Sequence, residues 1–119
     1  MPAETEHYLL IKLNEFEKSE IFLENSFSLP SLASWMETNT KYLSYLIKKH
    51  KNTDFNSYIN ALRIDFVIEM LKAHPQWRQY KISALAAMSG FSSHSQFTAV
   101  FKTHTGLSPS IFIKHLSKE

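Results

Sequence analysis

Apolar residues recur every three or four positions along nearly the whole chain, and nowhere do they alternate over the length of a strand. The clearest stretch is Phe55, Tyr58, Ile59, Leu62, Phe66, Val67, Met70 and Leu71, which predicts a helix over about residues 54–73. Thr53 or Asp54 can cap its start, and Pro75 bars its continuation. At the usual rise per residue such a helix is about 28 Å long. Before it, Leu9, Leu13 and Phe16 share one face of a helix over residues 5 to about 19, with acids on the other face, and Ile21, Phe22 and Leu23 form an apolar knot. Ser28 can cap a short helix over residues 31–36, with Pro30 in its first turn, where a missing N–H costs nothing. Asn39 is a good cap for a helix over about residues 40–50.

After a polar and aromatic connection over residues 73–80, a short helix is expected over residues 83–88. A longer one follows over about residues 93–105 and is closed by Gly106. Ser108 and Pro109 start a last helix through about Leu116, with Ile111 and Phe112 available to the core. No Asn-Gly or Asp-Gly hairpin turn occurs, and two glycines are too few for an ordinary all-β domain. The fold class is therefore all-α.

Two windows of this pattern repeat. Residues 32–48 and 85–102 each open with Leu-Ala and close with apolar, polar, any, apolar, apolar, Lys. The offset between them grows from 53 to 54 residues, so the second turn holds one residue more. A helix-turn-helix asks for such a pattern. Its helices cross closely, which needs a small residue at the contact, here Ala33 and Ala86. Its second helix needs an apolar inner face, here Leu43, Leu46 and Ile47, then Phe97, Val100 and Phe101. Its other face must be polar to enter a major groove. The repeat by itself leaves two generic helical hairpins equally open.

Charge changes this picture. The chain of 119 residues has a net charge of +2, but residues 1–27 carry six glutamates against two lysines, a net of −4. The rest carries 11 Lys and Arg against five acids (Glu37, Asp54, Asp65, Glu69 and Glu119), a net of +6. A basic body behind an acidic leader points to an anionic partner for the body. There is no cysteine, which excludes a disulfide framework, a thiolate zinc finger and a thiol nucleophile and suits the cytoplasm. The six histidines show no metal-binding pair, and no nucleophile or paired-carboxylate motif occurs, so neither an enzyme nor a metal or cofactor site is expected. No apolar run is long enough to cross a bilayer, and no membrane contact is expected.

Gly90-Phe91-Ser92-Ser93-His94-Ser95-Gln96-Phe97-Thr98-Ala99-Val100-Phe101-Lys102, followed by Gly106-Leu107-Ser108-Pro109-Ser110, resembles the signature of the AraC/XylS family of bacterial transcription regulators. The run Phe55 to Ile64, with Tyr58 and Arg63, is similar to that family's linker stretch, and the likeness covers residues 28–116. The leading helix and the long connection around residues 75–80 resemble the branch found in Bacteroidetes-type bacteria, where this domain often ends a longer sensor protein.

The resemblance implies two helix-turn-helix subdomains joined by a long linker helix, with an extra N-terminal helix. It divides the chain into residues 1–27, an acidic helix and connection; 28–53, the first motif; 54–73, the linker helix; and 74–119, the second motif with its C-terminal helix. It implies sequence-specific binding of double-stranded DNA, with the two recognition helices in successive major grooves. It also implies an upstream sensor domain in a longer protein, with RNA polymerase as a further partner. The opening Met1-Pro2-Ala3 fits a segment of a larger regulator. Lys41, Ser44 and Tyr45 in the first helix and His94, Ser95, Gln96 and Thr98 in the second are the base-reading candidates, by side-chain chemistry. Thr40, Lys48, Lys49, Ser93 and Lys102, near the ends of these helices, are the phosphate candidates. Tyr45 packed on the surface and His94 exposed without a base contact remain open. Arg63 reads as a structural anchor, with Asp65 or Glu69 as partner, and Trp35 and Trp77 read as core or edge packing.

The chain departs from the family pattern at Glu37, where a turn glycine is common, so a different backbone geometry is expected in the first turn. Tyr45 and Ala99 stand where many members place a long base-reading side chain, and Ile113 replaces a frequent arginine. Alanine can touch only a thymine methyl, so readout by the second helix is expected to be weaker or shifted toward its start. The rival reading is a helical protein-interaction module without DNA binding. Polar Lys41, Ser44, His94 and Gln96 on the outer faces argue against it.

Overall fold

The computed structural model describes residues 1–118; Glu119, counted among the acids and closing the last predicted segment, lies outside the described residues. Among the described residues the chain is all-helical, with no strand. Seven α-helices follow in order: α1 (Ala3–Lys18), α2 (Leu29–Trp35), α3 (Thr40–Lys51), α4 (Phe55–Ala73), α5 (Ile82–Met88), α6 (His94–Thr105) and α7 (Pro109–Leu116). Single 3₁₀ stretches, Ile21–Leu23 and Pro75–Gln79, sit where the apolar knot and the connection were expected. The chain divides into two compact units, Met1–Ile59 and Asn60–Glu119, with the boundary inside α4. Among the described residues no helix is long and apolar enough to cross a membrane.

The helix starts follow from their caps. Ser28, Asn39, Ser93 and Ser108 each accept the backbone N–H three residues on, which satisfies one of the donors a helix start leaves orphaned. Of the two residues that could cap α4, Asp54 does so, its Oδ1 accepting the Ser57 N–H at 2.8 Å. That bond stabilises the ionised carboxyl and holds its pKa below the ordinary carboxylate range.

In the first unit, Phe16 of α1 is fully buried and gathers an aromatic shell. Phe27 stacks on it at 5.3 Å, Phe22 meets it edge-on at 6.0 Å, and Trp35 and Tyr58 lie at 6.1 and 6.5 Å. Leu9 and Leu13 are buried with it, as are Leu32, Ala33 and Met36 near α2 and Leu43, Leu46 and Ile47 of α3. Burying one such side chain contributes roughly 1.5–3 kcal/mol, so α1 belongs to this core rather than trailing from it. Trp35 sits at its edge, 37% exposed, with the Lys12 ammonium over its ring.

The second unit is built on Ile64, Val67 and Leu71 of α4, which share a core with Leu85, Ala86, Phe91, Phe97, Phe101 and Leu116. Phe91, Phe97, Phe101 and Phe112 form a chain of ring contacts at 5.4, 5.7 and 5.3 Å. Ile113 packs against this core, which explains an apolar residue at that position. Trp77 is half-buried, edge-on to Phe66 at 6.0 Å and beside Tyr80. Arg78 donates to the Leu71 carbonyl at 2.9 Å and the Leu116 carbonyl at 3.5 Å, so one guanidinium serves the C-terminal ends of two helices. Arg63 is buried to 7% exposure, with its guanidinium over the Phe91 ring at 5.8 Å. Loss of hydration there pulls its pKa below the usual guanidinium value. Asp65, considered above as its partner, meets His104 at 2.9 Å.

Candidate nucleic-acid interface

Both motifs turn on the same backbone device. After α2, Glu37 N–H donates to the Ser34 carbonyl at 3.0 Å and Thr38 N–H to the Ala33 carbonyl at 2.9 Å. After α5, Gly90 N–H donates to Ala87 at 3.3 Å and Phe91 N–H to Ala86 at 3.0 Å. These are the two paired bonds of a Schellman closure, which needs its penultimate residue in the left-handed region. Gly90 takes it at φ 87°, and Glu37 takes it at φ 59° despite its Cβ. The glutamate therefore changes the energy of the first turn and leaves its geometry as it is in the second.

The closure delivers α3 and α6 with one face inward. Leu43, Leu46, Ile47, Phe97 and Phe101 are fully buried. Lys41, Ser44, Tyr45 and Lys48 are exposed at spacings of three and four, which places them on one outer face of α3. Ser44 also borders a surface depression lined by Ser28, Asp54, Phe55 and Asn56. Tyr45 is 49% exposed, so it is not packed away, and Lys49 Nζ lies over its ring at 5.7 Å. Thr40 is exposed at the first position of α3.

On α6, His94, Ser95 and Gln96 are exposed in the first turn, and Ser93 caps it. His94, Ser95, Thr98, Ala99 and Lys102 line a shallow groove along the outer face. Two candidates are less available than their residue types suggested. The Thr98 hydroxyl oxygen is covered and has no hydrogen-bond partner among the described residues. Gln96 turns its side-chain carbonyl back to accept the Ser92 N–H at 3.3 Å. Ala99 is exposed within the groove, so the position read as a departure forms part of its surface.

The positive charge is unevenly free. Lys41, Lys48 and Lys102 stand exposed with no ion pair among the described residues. Lys49 is bound by Glu6 of α1 at 2.9 Å, and His50 shares the same carboxylate oxygen at 2.7 Å. Lys51 meets Glu17 at 2.9 Å, and Glu17 also accepts the Tyr58 hydroxyl. The Lys49 and His50 hydrogen bonds hold the Glu6 carboxyl below its ordinary pKa. Glu6, and then Tyr45, raise that of Lys49. Lys49 was a phosphate candidate, and the fold places it against an acid. Glu6 and Glu17 were missed because they lie far from the motifs in sequence. Their signal was the acidic leader itself, which has to pack somewhere on a basic body.

Comparison with known proteins adds the following. The helix-turn-helix domain family matches residues 32–115. The uncharacterized transcriptional regulatory protein YesN of Bacillus subtilis is 32% identical over 75 residues, covering 62% of this chain and 20% of its own length. The transcriptional activator RhaR of Salmonella dublin is 27% identical over 119 residues, covering 100% of this chain and 40% of its own. This chain thus spans well under half of these relatives. Among solved structures, the DNA-binding domain of the transcriptional factor AdpA, in complex with a target DNA, superposes with a TM-score of 0.75 at 14% identity, over 92% of this chain and 93% of that one.

Proposed function

From the premise that the chain belongs to the AraC-type helix-turn-helix family, we propose that it binds double-stranded DNA sequence-specifically as a bacterial transcription regulator. The observation that carries this reading is the repeated Schellman-closed motif, each copy presenting a polar, exposed outer face on its second helix. In this reading α3 and α6 enter successive major grooves of one duplex. Lys41, Ser44 and Tyr45 reach base edges from α3, and His94 and Ser95 do so from the start of α6. Gln96 and Thr98 contribute after their side chains turn from the positions they hold in the free chain. Lys48 and Lys102 meet phosphate, with the first-turn amides at Thr40 and Ser93 beside them. Ala99 offers a methyl group to thymine. A signal-receiving part belongs to a longer protein, as the greater length of the relatives suggests.

The test is an electrophoretic mobility shift with a duplex selected from a random pool and an unselected one. We expect preference for the selected duplex and a slope of log K against log salt of about −5, for about six phosphate contacts. A flat salt response with no preference overturns the reading.

A further inference from the structure

We propose that α1 is an intramolecular competitor of DNA phosphate, whose Glu6 and Glu17 occupy the basic end of recognition helix α3 in the free protein. The inference rests on the DNA-binding reading above, and its two acids lie outside the matched span of 32–115.

The last turn of α3 holds Lys48, Lys49, His50 and Lys51. Four consecutive basic residues at a helix C-terminus are favoured by the helix dipole and form a ready phosphate contact. Three of the four are held by carboxylates: Glu6 takes Lys49 and His50, and Glu17 takes Lys51. A carboxylate and a phosphate offer these donors the same chemistry, anionic oxygen at charge-assisted hydrogen-bond distance. Lys49 and Lys51 keep side-chain exposures of 48% and 35%, so a phosphate can reach them from solvent and displace the acid. The acids themselves cannot drift away. Leu9, Leu13 and Phe16 anchor α1 in the core, which keeps both carboxylates close to the lysines they release. Exposed ion pairs are individually weak, so this contact tunes DNA binding and does not abolish it.

The experiment compares the chain with Glu6→Gln, Glu17→Gln and the double variant, using the selected and the unselected duplex over a salt series. Glutamine keeps the side-chain shape and still accepts from Tyr58, so the core is retained. Glu15→Gln is the control, since Glu15 is exposed on the same helix with no ion pair among the described residues. Each of the first two substitutions should tighten both duplexes about two- to fivefold, the scale of one exposed ion pair. The double variant should steepen the salt slope by about 1 to 2, as further phosphate contacts form. Unchanged or weaker binding by Glu6→Gln overturns the proposal; weaker binding would mean that Glu6 positions Lys49 for phosphate. An equal gain from Glu15→Gln also overturns it, because net charge alone would then be the cause. If Glu17→Gln does not fold, Glu6→Gln carries the test alone. Binding of neither duplex by the unsubstituted chain would instead defeat the DNA reading itself.

Discussion

The two helix-turn-helix motifs share a turn and differ in what they present. Both close with the same pair of backbone bonds, one around Glu37 and one around Gly90. Ala33 and Ala86 stand at equivalent positions in the two closures and are both buried. Beyond the turn, α3 carries its charge at exposed lysines and ends in a basic turn held by Glu6 and Glu17. In α6 the outer face is small and mostly neutral, and near its end His104 meets Asp65. The backbone of such a motif is thus set by hydrogen bonding and a small contact residue, while the chemistry of its outer face varies independently. We therefore expect charge-dominated binding at α3 and binding by small side chains at α6.

The largest effect should come from breaking the charged head. Lys41→Ala should weaken binding to a selected duplex by about 1–3 kcal/mol and relax preference at one base position, read by titration against a panel of single-base variants. Equal loss on random DNA would reduce Lys41 to a phosphate contact. For a base-reading Gln96, Gln96→Ala falls in the same range. With its carbonyl turned onto the Ser92 N–H, it should fall at the lower end and cost some stability at the start of α6. Next comes Gly90→Ala. At φ 87° an added Cβ is strained, so the second unit should lose about 1–2 kcal/mol in denaturant unfolding. A loss near zero would mean that this turn has the slack of the first.

Much of this was readable along the chain. Ser28 and Asn39 cap helices where their residue types placed caps, because a cap depends on neighbours only three residues away; Ser93, expected as the first residue of its helix, proves to be the cap one step before it. The inner faces of α3 and α6 were equally plain from periodicity. The ion pairs at the end of α3 were not, since Glu6 lies 44 residues from His50 and only the packing of α1 brings them together. Thr98 and Gln96 were chosen by chemistry that holds for a side chain free to reach outward. Whether an oxygen is covered, or turned to its own helix start, depends on local packing that residue type does not encode. Glu37 shows the reverse. A missing glycine suggested an altered turn, but the closing hydrogen bonds outweigh the cost of a side chain in the left-handed region.

That balance supplies the smallest prediction, Glu37→Gly. Holding a Cβ at φ 59° costs about 1–2 kcal/mol. Glycine removes that strain but gives the unfolded chain more freedom, which takes back about 0.4–1 kcal/mol. The net should be a gain of about 0.5–1 kcal/mol, seen as a raised denaturant midpoint at unchanged slope. Glu37 is exposed, so no buried contact is lost with it. DNA binding should be kept, because the closure already has the geometry glycine prefers. A loss of stability would mean that the glutamate side chain supports the first turn, and the two turns would then differ in mechanism as well as in residue.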